Sequence, residues 1–304
     1  MTITQGPGLS ARVLDLHRIQ NPGLDDVELY LRDSQPEVRA AALKVLTGTV
    51  RKGNAPRGTG DTLAWALADE HEDVRRVAAD ALRGLPELYL GDDGVAALQL
   101  AAARGRDPFV RETATDLLEI LAQGAAELYA QGLQDGEPHV RIQAVLGLVA
   151  LRAGARVAEA ADDPSREVRV AVAEGLARLP LPAGQAALEA LLTDRDPVVR
   201  MAALDTAAEI GVPAPLDGRV ITSTAHASWQ VRRRAVLALG AADPAVAVQP
   251  LLHALNDRTV DVRRAAVRAL EQWAGDHPEV VTALTEALTD PDPGVRTQVR
   301  WALS

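Results

Sequence analysis

The residues of this chain that could do chemistry are few, and most are scattered. Six histidines stand at His17, His71, His139, His226, His253 and His277. No two have the spacing of metal ligands on one helix face, and no H-E-x-x-H occurs. With no cysteine, disulfides, thiolate metal sites and a cysteine nucleophile are excluded. There is no G-x-S-x-G, and no glycine-rich phosphate loop following a strand. The sequence therefore assigns no catalytic residue, no metal ligand and no cofactor site.

Two charged residue types, by contrast, recur in register. Val-Arg followed by small apolar residues occurs nine times, at Val38, Val74, Val110, Val140, Val168, Val199, Val231, Val262 and Val295. Five residues before the Val stands Asp in seven copies: Asp33, Asp69, Asp135, Asp163, Asp194, Asp257 and Asp290. Such columns of opposite charge can bind a row of ligand charges, or they can tie one repeat to the next. A group that every repeat carries is normally one that the repeat needs, so the columns are expected to form a structural ladder of Arg–carboxylate pairs.

The elements that position these charges follow from the spacing. The Val residues are 28 to 36 apart over nearly the whole chain, which signals a repeat array. Four residues after the Val is Ala in seven copies, and eight after is Leu in eight. Those positions share one face of a helix, here called B. Its start is marked by Asp107, Ser165, Asp196, Ser228, Thr259 and Asp292 at the N-cap. Pro36, Pro108, Pro138, Pro197 and Pro293 follow at the first helical position. Apolar pairs 11 and 7 residues upstream, such as Leu63 and Leu67 or Leu251 and Leu255, predict a second helix, A. One such hairpin cannot bury its apolar face alone, but stacked neighbours can. A helix at about 9–20 is expected to cap the array, and RKGNAPRG at 51–58 reads as a loop.

Composition agrees. Only 3% of residues are aromatic against 47% hydrophobic, so the core must be Ala, Leu and Val, as closely packed helices require. The start, MTITQGPGLSARVLDL, does not resemble a signal peptide, and no run of about 18 apolar residues occurs. A cytoplasmic protein without a membrane partner is the expectation. A net charge of −10 argues against a general nucleic-acid binder.

The phrase D-x-x-x-x-V-R-x-x-A-x-x-A-L resembles the HEAT-repeat family, in particular the short HEAT-like units first recognised in phycobilin lyases. The resemblance covers about residues 24–304. It implies an all-α, right-handed α-solenoid of about nine hairpins with an N-terminal cap, forming a single repeat domain over 1–304. It implies a B-helix row that lines a concave groove, and a scaffold or adaptor that binds a protein partner. Enzymes exist on the same fold, so activity stays open but less expected. HEAT-like di-iron hydroxylases carry repeated His-Glu pairs, and this chain has only His71–Glu72. HEAT-like alkylpurine DNA glycosylases use a cationic groove lined by Trp with a catalytic Asp. Trp65, Trp229, Trp273 and Trp301 are present, but the charge is of the wrong sign. A phycobilin-lyase-like accessory role is the other alternative.

Within the groove, the residues two, six and nine after each Val lie opposite the core stripe. They are acidic in the third unit, with Glu112, Asp116 and Glu119. In the fourth they are apolar: Ile142, Leu146 and Val149, continued by Val170 and Met201. They turn basic later, with Arg233, Arg264 and Arg268. An apolar patch in a polar row marks an interaction surface, unless it packs between neighbouring helices. The unit at 213–240 is the most irregular. His226 replaces the ladder Asp, Ala207 next to it lacks the usual Leu, and Trp229 enters the first turn of helix B. There Trp229 either fills the missing volume or borders a small pocket. The expected partner face is thus Ile142, Leu146, Val149, Val170, Met201, Trp229, Arg233, Arg264 and Arg268, suited to a protein with an acidic segment.

Overall fold

The computed structural model describes residues 8–51, 56–85 and 90–304. Among them every regular element is a helix. Contacts divide the chain into two compact units, Met1–Gly124 and Ala125–Ser304.

The first unit contains α1 (Leu9–Arg18), α2 (Leu24–Leu31), α3 (Pro36–Arg51) and α4 (Thr59–Trp65), which a 3₁₀ turn extends over Ala66–Ala68. It continues with α5 (Glu72–Arg83), α6 (Asp92–Arg104) and most of α7 (Pro108–Gly132). The second unit takes the end of α7, then α8 (Pro138–Ala150), α9 (Gly154–Ala158), α10 (Arg166–Leu176), α11 (Leu181–Leu191) and α12 (Pro197–Glu209). It closes with α13 (Ala214–Ser223), α14 (Trp229–Leu239), α15 (Pro244–Ala254), α16 (Val260–Glu271), α17 (Pro278–Glu286) with a 3₁₀ turn over Ala287–Thr289, and α18 (Pro293–Ala302). The architecture is an all-α repeat solenoid. Among the described residues the helices after α1 fit about nine hairpins, with α7 long enough to serve first as a B helix and then as the A helix of the next hairpin.

The local signals act as their chemistry requires. All five prolines expected at a first helical position open a helix: α3, α7, α8, α12 and α18. Of the expected caps, Ser165 accepts the Val168 N–H at 3.4 Å, Asp196 that of Val198 at 2.8 Å and Asp292 that of Val295 at 2.9 Å. Ser228 and Thr259 make no such bond. The Ser228 hydroxyl donates to Gln230 at 2.6 Å, and Thr259 Oγ1 accepts from Arg232 at 3.1 Å. The predicted cap at 9–20 is α1, and it is more than a lid. Arg12 Nη1 lies 2.5 Å from Asp33 Oδ2, so α1 gives the first repeat the arginine that a preceding B helix would supply. Of the loop expected at 51–58, residues 52–55 lie outside the described residues, as do 1–7 and 86–89. Gly58 takes the left-handed φ of 82° that turns the chain into α4.

The core is made of Ala, Val and Leu. In the second unit it runs without a break from Leu133 to Val299. In the first, one cluster gathers around Leu16, Val27 and Leu46, and another around Leu63, Leu82 and Leu98. Each fully buried Leu contributes roughly 2 kcal/mol by leaving water. In the second unit each of the inner B helices α10, α12, α14 and α16 packs against the B helix before it and the one after it as well as against its own A helix. It is therefore buried on three sides. In α10, for example, Val168, Arg169, Ala171, Val172, Ala173, Gly175 and Leu176 are all buried.

Candidate functional site

The ladder positions are structural. Five rungs have the same three parts. Arg169 is representative: Nε and Nη2 grip Asp194 of the next hairpin at 2.7 and 3.1 Å. Its Nη1 donates to the carbonyls of Asp163 and Pro164, in the turn before its own helix, at 2.7 and 3.3 Å. Asp194 Oδ1 also accepts the N–H of Asp196 at 2.8 Å, which holds the next turn closed. Arg39–Asp69, Arg141–Asp163, Arg232–Asp257 and Arg263–Asp290 repeat the forked grip. In the third hairpin, where Gly105 stands at the usual Asp position, Asp107 two residues later receives Arg75 Nε at 2.5 Å. The ladder keeps its rung by moving the carboxylate.

Partial burial opposes charge on Asp69, Asp163, Asp194 and Asp257. The arginine hydrogen bonds and the turn N–H outweigh it and hold these carboxyls below the ordinary aspartate value. At Asp290 the Arg263 hydrogen bond is itself the largest influence, and it lowers the carboxyl in the same direction.

One rung is broken. Arg200 faces the hairpin where His226 replaces the Asp. Its fork is turned back, with Nε on the Asp194 carbonyl and Nη2 on the Thr193 carbonyl at 3.2 Å. His226 Nδ1 still accepts the Ser228 N–H at 3.0 Å, so the ring replaces the carboxylate in the turn but not in the grip.

The outward B-helix row differs from what single-face amphipathic logic predicts. Residues two and six after the Val do point outward. Leu146 is 43% exposed, while Ile142, Val170 and Met201 are partly buried against the core. Val149, nine after the Val, is only 6% exposed and belongs to the core. Val149 stands near the C-terminal end of α8, where that helix meets the following B helix, α10. There Val149 closes on Gly175: a methyl added to that glycine would lie 2.6 Å from Val149 Cγ2. Val149 is thus no surface residue, because the following helix covers it.

The basic cluster is thinner than its sequence. Arg232 and Arg263 are ladder residues. Arg234 pairs with Asp205 at 2.8 Å and meets the Met201 sulfur at 3.3 Å, and Arg264 pairs with Asp292 at 2.9 Å. Among the described residues no carboxylate lies in ion-pair range of Arg233 or Arg268, so these two keep their charge available. Trp229 is 39% exposed in the first turn of α14, and Ala207 is fully buried. Trp301 stands six after Val295, the outward position, and is 71% exposed.

Among the described residues no three His, Asp or Glu side chains are grouped to hold a metal ion. No described helix is long and apolar enough to cross a membrane.

A family model described as HEAT repeats matches residues 24–119, 154–218 and 219–304. The chain belongs to the HEAT-repeat family. Solved structures similar to this HEAT-repeat chain include a designed armadillo repeat protein in complex with the peptide (KR)4, at 18% identity and a TM-score of 0.42, covering 68% of this chain and 97% of that one. An engineered protein, also at 18% identity, gives 0.44 over 99% and 96% of the two chains. Kap95p, in a structure with RanGDP, gives 16% identity and 0.44 over 99% of this chain and 49% of that one. No curated protein matches the chain in sequence.

Proposed function

We propose that the protein is a non-catalytic scaffold or adaptor that holds a protein partner along the outward face of its B helices in residues 140–301. What carries this reading is a contrast within the repeats. The inward residues of the B helices recur from one hairpin to the next, while the outward residues change in an ordered way. Ile142, Leu146 and Val170 begin the row as apolar anchors. Acidic Glu174, Asp205 and Glu209 follow, and Arg233, Arg268 and Trp301 complete it. Surface that served only solubility would have no reason to place exposed Leu146 beside partly buried Ile142. Apolar anchoring supplies affinity there, and an acidic partner segment near Arg233 and Arg268 sets orientation.

The test uses two exposed residues of this face. Leu146→Glu with Arg268→Glu is expected to weaken a captured partner, re-measured with purified components, by at least about tenfold. The stability of the same variant stays within about 0.5 kcal/mol of the wild type. Unchanged affinity in that variant would remove the B-helix face as the site. Val149→Glu is the contrasting control. It places a carboxylate in the core and lowers stability by about 3 kcal/mol or more in denaturant titration.

A further inference from the structure

The first unit holds a groove that the B-helix reading does not use. It lies between the A helices α2 and α4 and has a volume of about 610 Å³, within the range of roughly 300–1,000 Å³ usual for ligand sites. Its floor is apolar: Leu43 and Val74 are buried beneath it, with Leu31 beside them. Thr62 and Ala66 on α4 and its 3₁₀ extension are too small to fill the space. Trp65 forms one lip and is 48% exposed; Asp25 and Glu28 stand at the mouth.

The same groove recurs between α15 and α17, with about 430 Å³, and the comparison isolates what is special. Nine residues before the B-helix Val stands Glu286 in the later groove and Trp65 in the first. Ten before the preceding Val stands Leu252 in the later groove and Glu28 in the first. The first groove has an aromatic wall where its counterpart has an acid, and an acid where its counterpart has an apolar residue.

The charges at the mouth are unequal. Asp69 is fully engaged by Arg39 at 2.8 and 2.6 Å. Glu28 meets Arg32 at 2.8 Å, but both are exposed, and such pairs hold little energy. Among the described residues no cation lies in ion-pair range of Asp25. The mouth thus carries one uncompensated negative charge beside the half-exposed indole of Trp65, above an apolar floor. That combination favours a group with a long apolar stem and a cationic head. Trp attracts the head through its ring face, and the stem can lie along the leucines. The net charge of −10 adds a long-range attraction of the same sign.

We infer that this groove binds a basic peptide segment, with an arginine or lysine side chain laid across Trp65 and its charge between Asp25 and Glu28. The inference stands apart from the B-helix face and does not depend on it. The experiment follows the indole N–H signals of the four Trp residues in the full chain, with Trp65 assigned by its loss in Trp65→Phe. The probe is acetyl-Arg-Leu-Arg-amide, and the neutral control has citrulline in place of both arginines. Binding is expected to move the Trp65 signal saturably, to leave Trp229 and Trp301 in place, and to be at least about tenfold weaker for citrulline. Asp25→Asn with Glu28→Gln, both at exposed positions, should reduce the arginine peptide to the citrulline level without moving the unfolding midpoint. The inference is overturned by a Trp65 signal that stays fixed to millimolar peptide, by equal response to both peptides, or by wild-type affinity in the Asn/Gln variant.

Discussion

Two neighbouring joints of the second unit differ by one residue and show what each half of a ladder rung does. Between α10 and the next hairpin, Arg169 reaches forward to Asp194 and backward to its own turn. Between α12 and the next hairpin the arginine is kept, but His226 stands where the carboxylate should be. Arg200 then turns wholly to the carbonyls of Asp194 and Thr193. The arginine's first duty is therefore to its own A–B turn, whose carbonyls have no other donor of comparable strength. The carboxylate converts that local clasp into a tie between hairpins. Arg169 is buried and Arg200 only partly so, as expected when one fork is closed from both sides and the other is not.

The largest way to break this difference is acid, which acts on all intact rungs together. Asp69, Asp163, Asp194, Asp257 and Asp290 are held below the ordinary carboxyl value in the folded chain. As pH falls the unfolded chain takes up protons first. The rungs' contribution is therefore complete above the unfolded value of about 3.9 and is lost as pH drops through the lower folded values. Urea midpoints should be flat from neutral pH to about 5 and fall steeply below about 4. A flat curve down to pH 3 would mean that the rungs contribute nothing to stability. Next in size is Asp194→Asn. It leaves the Arg169 guanidinium, 6% exposed, without its anion. A loss of about 3 kcal/mol is expected in denaturant titration. His226→Asn, at the joint already lacking a carboxylate, should change stability by less than about 0.5 kcal/mol.

The sequence made the ladder legible because its parts repeat at fixed offsets, and repetition separates a structural need from a local accident. The prolines and the helix pairs were legible for the same reason. What escaped depended on neighbours beyond the repeat's own period. Asp107 serves two residues from its expected place, which no column of identical positions reveals. Val149 is buried by the helix after it, and a helical wheel contains no such neighbour. Arg264 looks like free charge until Asp292 is found beside it. Leu146 is exposed, six residues after the Val, where the neighbouring helices leave the side chain open. The Trp65 groove could not be found from the sequence, since it is defined by two small residues on one helix facing leucines on others.

The most discriminating substitution is at the same joint. His226→Asp would restore the missing carboxylate at the joint after α12. The turn is already shaped to receive it, because His226 Nδ1 accepts the Ser228 N–H just as Asp194 Oδ1 accepts that of Asp196. An aspartate there keeps that turn bond and presents its second oxygen to Arg200. Arg200 must then swing its fork forward and give up the Thr193 carbonyl, so the net gain is less than a full rung. An increase of about 1 kcal/mol is expected, with slowed amide exchange in α12 and α14 and no change in the first unit. In an Arg200→Gln background the same substitution should add nothing, since the new carboxylate would have no cation to grip. If His226→Asp stabilises equally in both backgrounds, the gain belongs to the turn, and the carboxylate's role as a tie between hairpins fails at this joint. If it stabilises neither, the rotated fork of Arg200 is the preferred arrangement there, and histidine at this position is a fitted part of the joint.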